Sequence, residues 1–303
     1  MLNVYESVAA NKRKSWLVMI FFTLFVAAVA WIFGEALGYG PAYVGTALIF
    51  AGLMSFVSYW FSDKIILTIS RARPAIRKQY FDFYTVTENL CLAARLPKPK
   101  LYVVEDTAMN AFATGRDPEH AVVCATTGLL TRLKRSELEG VIGHELSHVR
   151  NYDMRLMSLV TILVGMITLL ADWFMRMSWY GGGRRDKEEE GGQIRAVIAI
   201  LGIVLALLSP LIAQLIQLAI SRRREFLADA SSVMLTRQPS GLINALKKLG
   251  ADREPLEVAN KATAHLYITN PLKNRHDNIG WFANLFTTHP PIGERIKALE
   301  AMA

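Results

Sequence analysis

Apolar positions crowd into four stretches of the chain. Residues 16–33, 43–61 and 196–220 run for 18, 19 and 25 residues without a charge. Residues 157–170 form a shorter run of 14, extendable to Phe174 only by admitting Asp172. A hydrocarbon layer of ~30 Å takes about 20 apolar residues of helix. The pattern therefore predicts a two-helix anchor over 1–61 and an apolar helical hairpin over 157–220. The hairpin's first arm is marginal in length, and the hairpin either crosses a bilayer or only dips into it. Its connecting loop, 175–195, carries Gly181–Gly183 and Gly191–Gly192 and reads as flexible.

Between these runs the pattern turns mixed. Residues 62–156 and 221–303 together are long enough for one compact domain with its own core. Residues 101–105 and 121–126 read as short strands, with a turn at Arg116-Asp117-Pro118. Ser136 and Glu139 form an S-x-x-E capping box ahead of Leu138, Val141 and Ile142, which predicts a helix start. The expected fold class is an α+β domain split by the hairpin and carried on an α-helical anchor.

Composition agrees and adds orientation. Hydrophobic residues make up 52% and charged residues 20%, which excludes a disordered or low-complexity chain. The net charge of +8 raises the question of nucleic acid. However, the basic residues flank the apolar runs: Lys12, Arg13 and Lys14 before the first, Lys64, Arg71, Arg73, Arg77 and Lys78 after the second, and Arg222–Arg224 after the last. The short segment 34–42 has none. This is the pattern that places the N-terminus and the mixed segments on the cytoplasmic side, and it leaves no nucleic-acid patch. Five basic residues in 175–195 run mildly against the hairpin crossing. The first run reads as an uncleaved anchor, because Trp31, Ile32 and Phe33 continue it past the Ala28-Val29-Ala30 site. Two cysteines, Cys91 and Cys124, are too few for a disulfide framework or a cysteine-rich metal site.

The chemistry lies at His144-Glu145-Leu146-Ser147-His148. On a helix, histidines four apart share a face and can bind one zinc ion, and the intervening glutamate can serve as general base. A catalytic zinc needs a third protein ligand. Glu225 in Glu225-Phe226-Leu227-Ala228-Asp229 is the candidate, with Asp229 one turn on to accept a ring N–H from a zinc histidine. For the three ligands to meet, an even number of membrane crossings must separate His148 from Glu225.

With these motifs in place, the chain resembles the HtpX/Ste24 family of membrane zinc metalloproteases, most closely its bacterial members. The resemblance rests on Asn110–Arg116, Thr127–Leu130, Gly143–His148, Arg224–Asp229 and His289-Pro290-Pro291 with Arg295. It implies a zincin-like endopeptidase of the bacterial inner membrane with a cytoplasmic catalytic domain, one Zn²⁺ per chain, membrane-protein substrates and a role in quality control and stress response. The pattern leaves the segment around Ala111 and Phe112 either a strand that takes a peptide by addition or a buried core strand, and the resemblance implies that Asn110 holds substrate backbone there. His289 would donate to the oxyanion of the tetrahedral intermediate, and Arg295 would brace Glu225 or that histidine. The apolar segment 279–286 reads as a lid, an interfacial anchor or plain core. The rival readings are a non-catalytic zinc-stabilised membrane adaptor, which has no use for Glu145, and a basic nucleic-acid binder, which has no motif.

Overall fold

The computed structural model describes residues 4–37, 42–163, 165, 222–257, 266–269 and 290–302. The last apolar run, residues 164 and 166–170 of the 157–170 run, the 175–195 loop, the 279–286 segment and His289 lie outside the described residues.

The first two apolar runs are helical. They fall within α1 (Val4–Leu37) and α2 (Ala42–Trp60), which pack on each other and lead into the short α3 (Ser62–Ile69). Trp16, Leu24, Ile49, Leu53 and Phe56 on these helices are exposed. Counted over the described residues, no helix is long and apolar enough to cross a membrane.

The mixed segments form a four-stranded sheet under a layer of helices. β1 (Arg73–Pro74), α4 (Phe81–Ala94), β2 (Lys100–Val104), β3 (Ala111–Thr114) and β4 (Val122–Thr126) come first in the chain. They are followed by α5 (Thr127–Arg132), α6 (Arg135–Arg150), a helical stretch at 153–163, α7 (Arg222–Thr236), α8 (Pro239–Ala251) and α9 (Ile292–Glu300). The strand order is β1-β2-β4-β3, with β2 and β4 parallel and the outer pairs antiparallel. β3 is thus an edge strand.

Alternation along the strands explains why the 121–126 run is apolar throughout. Leu101, Val103, Ala111, Ala113, Val123 and Ala125 face one core, filled by Leu138, Val141, Ile142, Leu146 and Val149 of α6 and by α4 and α8. Val104, Phe112 and Cys124 face a second, with Ile66 of α3, Met157, Ile162 and Tyr267. With both faces covered, every residue of β4 is buried.

The start of α6 departs from the expected cap. The helix begins at Arg135, and Glu137, not Glu139, reaches back: its carboxylate accepts the Lys134 N–H at 2.7 Å and the Lys248 ammonium of α8 at 2.7 Å. Glu137 is buried with that cation to meet it, whereas Glu139 reaches only Arg135, at 3.5 Å on the same helix.

Two glycines let α6 sit close to its neighbours. A Cβ on Gly140 would lie 2.7 Å from the backbone of Leu242 in α8, and one on Gly143 would lie 2.7 Å from Ser232 Oγ in α7. The Ser232 hydroxyl donates to the Gly140 carbonyl at 2.6 Å. Gly140→Ala should therefore destabilise the domain by about 1–3 kcal/mol of overpacking, more than the ~1 kcal/mol that alanine gains in helix propensity. A denaturant melt checks this; a variant at least as stable as wild type would mean that α6 and α8 are not in backbone contact.

Candidate metal centre

His144, Glu145 and His148 occupy the last turns of α6 and are 1%, 2% and 6% exposed. Glu225 and Asp229 sit one turn apart near the start of α7, each 2% exposed. The close approach at Gly143 brings the two helices' functional faces together. His144 Nε2 lies 3.2 Å from His148 Nε2 and 3.6 Å from Glu225 Oε2, and His148 Nε2 lies 3.5 Å from Glu225 Oε1. His144, His148 and Glu225 are the one group of metal-competent side chains found among the described residues.

These distances test whether zinc fits. With bonds of about 2.0–2.1 Å, a tetrahedral zinc sets its ligand atoms about 3.3–3.4 Å apart. The two Nε2 atoms, 3.2 Å apart, come close to that spacing, and each has a Glu225 oxygen near it, Oε1 at 3.5 Å from His148 and Oε2 at 3.6 Å from His144. The ring tautomers agree. His144 Nδ1 lies 2.8 Å from Asp229 Oδ1, and His148 Nδ1 lies 3.1 Å from Asp153 Oδ2. Each carboxylate can accept a hydrogen bond from an Nδ1–H, the tautomer that turns both Nε2 atoms toward one another and toward a carboxylate in a dry interior. A cation or a proton has to sit between them.

Burial and charge set the protonation of the cluster's side chains. Burial lowers the His144 pKa, against the hydrogen bond to Asp229. For His148 burial acts downward but is outweighed by the Asp153 hydrogen bond and the charges of Glu225, Asp153 and Glu145, which carry it to about 9. Burial, reinforced by Glu225, lifts Glu145 to about 7. The Ala113 N–H of β3 bonds to Glu145 and acts in the opposite direction.

Arg295 on α9 is fully buried and closes the far side. Its Nε and Nη2 donate to the two oxygens of Asp229 at 2.8 and 2.6 Å, and Nη1 donates to the Ile268 carbonyl at 3.1 Å. Nη1 lies 3.8 Å from Glu225 Oε2, so Arg295 braces Asp229 first and Glu225 only at longer range. His289 lies outside the described residues.

The segment expected to meet substrate is engaged within the fold. Asn110 donates to the Thr269 carbonyl at 3.1 Å, the Ala111 carbonyl accepts from Ile268 N–H at 3.0 Å, and the Phe112 ring meets Tyr267 edge-on. Residues 266–269 thus occupy the beginning of the β3 edge. Ala113, two residues on, directs its backbone N–H to the same edge, toward Glu145.

Asp153 is the residue the sequence reading lacked. It follows the end of α6 through a turn in which Tyr152 takes a φ of +60°, so no helical spacing links it to His148. The available signal was chemical. Two zinc histidines call for two outer carboxylates, and Asp229 serves only one of them.

Two outcomes follow. Zinc must displace the His148 proton, so below about pH 9 protons compete and affinity falls by up to about tenfold per pH unit. The His144 pKa is depressed, so its proton adds nothing to that slope near neutrality. Chelator competition between pH 6.5 and 8.5 measures the slope, and a flat profile contradicts the assignment. Asp229→Ala should weaken zinc binding roughly 10- to 100-fold. It should also cost about 3–5 kcal/mol by stranding the Arg295 guanidinium. Adding Arg295→Met should restore thermal stability without restoring zinc affinity; recovery of both would place Asp229 outside the metal site.

Comparison with known proteins matches residues 81–303 to the model of Peptidase family M48. A protein named Protease HtpX homolog from Thermoanaerobacter pseudethanolicus is 42% identical, over 99% of this chain and 98% of its own. Another of that name, from Ligilactobacillus salivarius, is 41% identical over 99% of this chain and 100% of its own. The crystal structure of S. mikatae Ste24p aligns at a TM-score of 0.46 and 16% identity, covering 95% of this chain and 67% of that one, a likeness too loose to argue from. With the family model spanning the whole α6–α7 site and the relatives nearly the whole chain, the protein belongs to peptidase family M48 and is a metallopeptidase.

Proposed function

We propose that the chain is an integral-membrane, zinc-dependent endopeptidase that cuts membrane or misfolded proteins close to the cytoplasmic face of the bacterial inner membrane, in protein quality control. The observation that carries the catalytic part is the meeting of His144, His148 and Glu225 around one point, with Glu145 buried beside them. Those three residues would hold one zinc ion per chain, which would supply Lewis acidity for peptide hydrolysis.

The protein's own groups do the rest. Glu145, with a pKa lifted to about 7, takes the proton of the water as it attacks the peptide carbonyl and returns it to the leaving amine. Substrate backbone lies extended along the part of the β3 edge beyond residues 266–269, past Ala113 and within reach of Glu145. His289 donates to the oxyanion of the tetrahedral intermediate. Arg295 supports this reading, since its bonds to Asp229 hold α9 against the site.

The membrane reading rests on the uncharged runs, the flanking lysines and arginines, and the apolar side chains that α1 and α2 leave exposed. The adaptor alternative needs only the three ligands. It gives no reason to bury a carboxyl whose pKa lies near neutrality beside them.

Glu145→Gln separates the two readings. The variant keeps every ligand, so zinc content should stay at wild-type level while cleavage of a casein-type substrate falls by several orders of magnitude. Cleavage within tenfold of wild type would remove Glu145 as the base.

A further inference from the structure

α1 does more than lead the chain, because one of its side chains is built into the surroundings of the metal centre. Asn11 lies ahead of the first apolar run and is 3% exposed, although Lys12 and Arg13 beside it are exposed. Its amide Nδ2 donates to Asp153 Oδ1 at 2.7 Å and to the Asn151 carbonyl at 2.9 Å. Its Oδ1 accepts from Arg224 Nη1 at 3.1 Å, and the same Nη1 lies 3.2 Å from Asp153 Oδ1. Asp153 holds His148 through its other oxygen, and Arg224 is the residue immediately before Glu225. Lys12 adds a second grip on this turn, its ammonium 4.3 Å above the Tyr152 ring.

A buried asparagine in a helix otherwise rich in apolar residues is costly unless its amide is satisfied. Here three side-chain hydrogen bonds go to the turn after α6, where Asp153 holds a ligand histidine, and to the first turn of α7, which carries Glu225. Asn11 ties them together, although more than 130 residues separate it from either in sequence.

We infer that Asn11 is a positioning residue for the metal centre: it fixes Asp153 and Arg224, and through them the ring of His148 and the carboxylate of Glu225, so that the seating of α1 is a condition for tight metal binding. The inference rests on the reading of His144, His148 and Glu225 as zinc ligands. It gives α1 a role that a simple anchor does not have, since any apolar helix of the same length would tether the domain.

The test is zinc affinity of the full-length chain in detergent micelles, by chelator competition, together with the visible absorption of the cobalt-substituted protein. Asn11→Ala should weaken zinc binding roughly tenfold, the scale of one hydrogen bond to a charged group, and shift the cobalt bands. Asn11→Asp keeps the side chain's shape but sets a carboxylate against Asp153, so it should weaken binding at least as much. Because Asn11 acts largely through Asp153, adding Asn11→Ala to Asp153→Ala should cost less than half of what it costs in wild type. Affinity within twofold of wild type in both Asn11 variants, or a double variant showing the full sum of the two losses, overturns the inference. Should Asn11→Ala fail to fold, Asn11→Asp decides by the same criterion. Wild-type protein whose zinc affinity is unmoved by His148→Ala would instead overturn the zinc site itself, and this inference with it.

Discussion

Everything in this protein's site depends on two imidazole lone pairs and a carboxylate being held within 3.6 Å of one another in an interior that excludes water. Left to themselves, such groups separate or take up protons. The fold prevents separation by bringing α6 and α7 into near-backbone contact at Gly143, and it pairs each histidine's Nδ1 with a carboxylate, Asp229 or Asp153. Proton uptake is what the raised pKa of His148 expresses, and a divalent cation is the alternative occupant.

The outer layer follows from the same constraint. A cluster carrying the charges of Glu145, Asp153, Glu225 and Asp229 needs cations nearby. Arg295 supplies one from α9, forked onto Asp229, and Arg224 another from α7, bonded through Nη1 to one oxygen of Asp153; each of those carboxylates already holds a histidine. Arg295 at 0% exposure is tolerable only because Asp229 meets it with two bonds. The two halves of the site thus have parallel construction: zinc-facing histidine, outer carboxylate, arginine. One half is assembled by the C-terminal helix and the other by the N-terminal one.

Much of this was legible in the sequence, because helical spacing is a local property. His144 and His148 four apart, and Glu225 and Asp229 four apart, give the same faces in the string as in the fold. The strands at 101–105 and 121–126 were readable to within a residue or two for a similar reason. What escaped depended on turns and on distant helices. Asp153 reaches His148 through a left-handed residue, Tyr152, that no β- or α-period announces. The cap of α6 went to Glu137 because Lys248, far along the chain, was there to meet it. Asn11 reads as an ordinary polar residue before an apolar run; only the fold brings it against Asp153. The expectation of a free strand around Asn110 and Ala111 likewise gave no hint of 266–269, which the chain itself lays along that edge.

The central claim is that one zinc ion is held by two histidines and one glutamate drawn from two helices. X-ray absorption at the zinc edge of the metal-loaded protein tests it most directly. The account predicts about one zinc per chain, with only nitrogen and oxygen neighbours at about 2.0–2.1 Å and multiple-scattering features fitted by two imidazoles. A sulfur neighbour at about 2.3 Å, a fit requiring one imidazole or three, or zinc well below one per chain would contradict it.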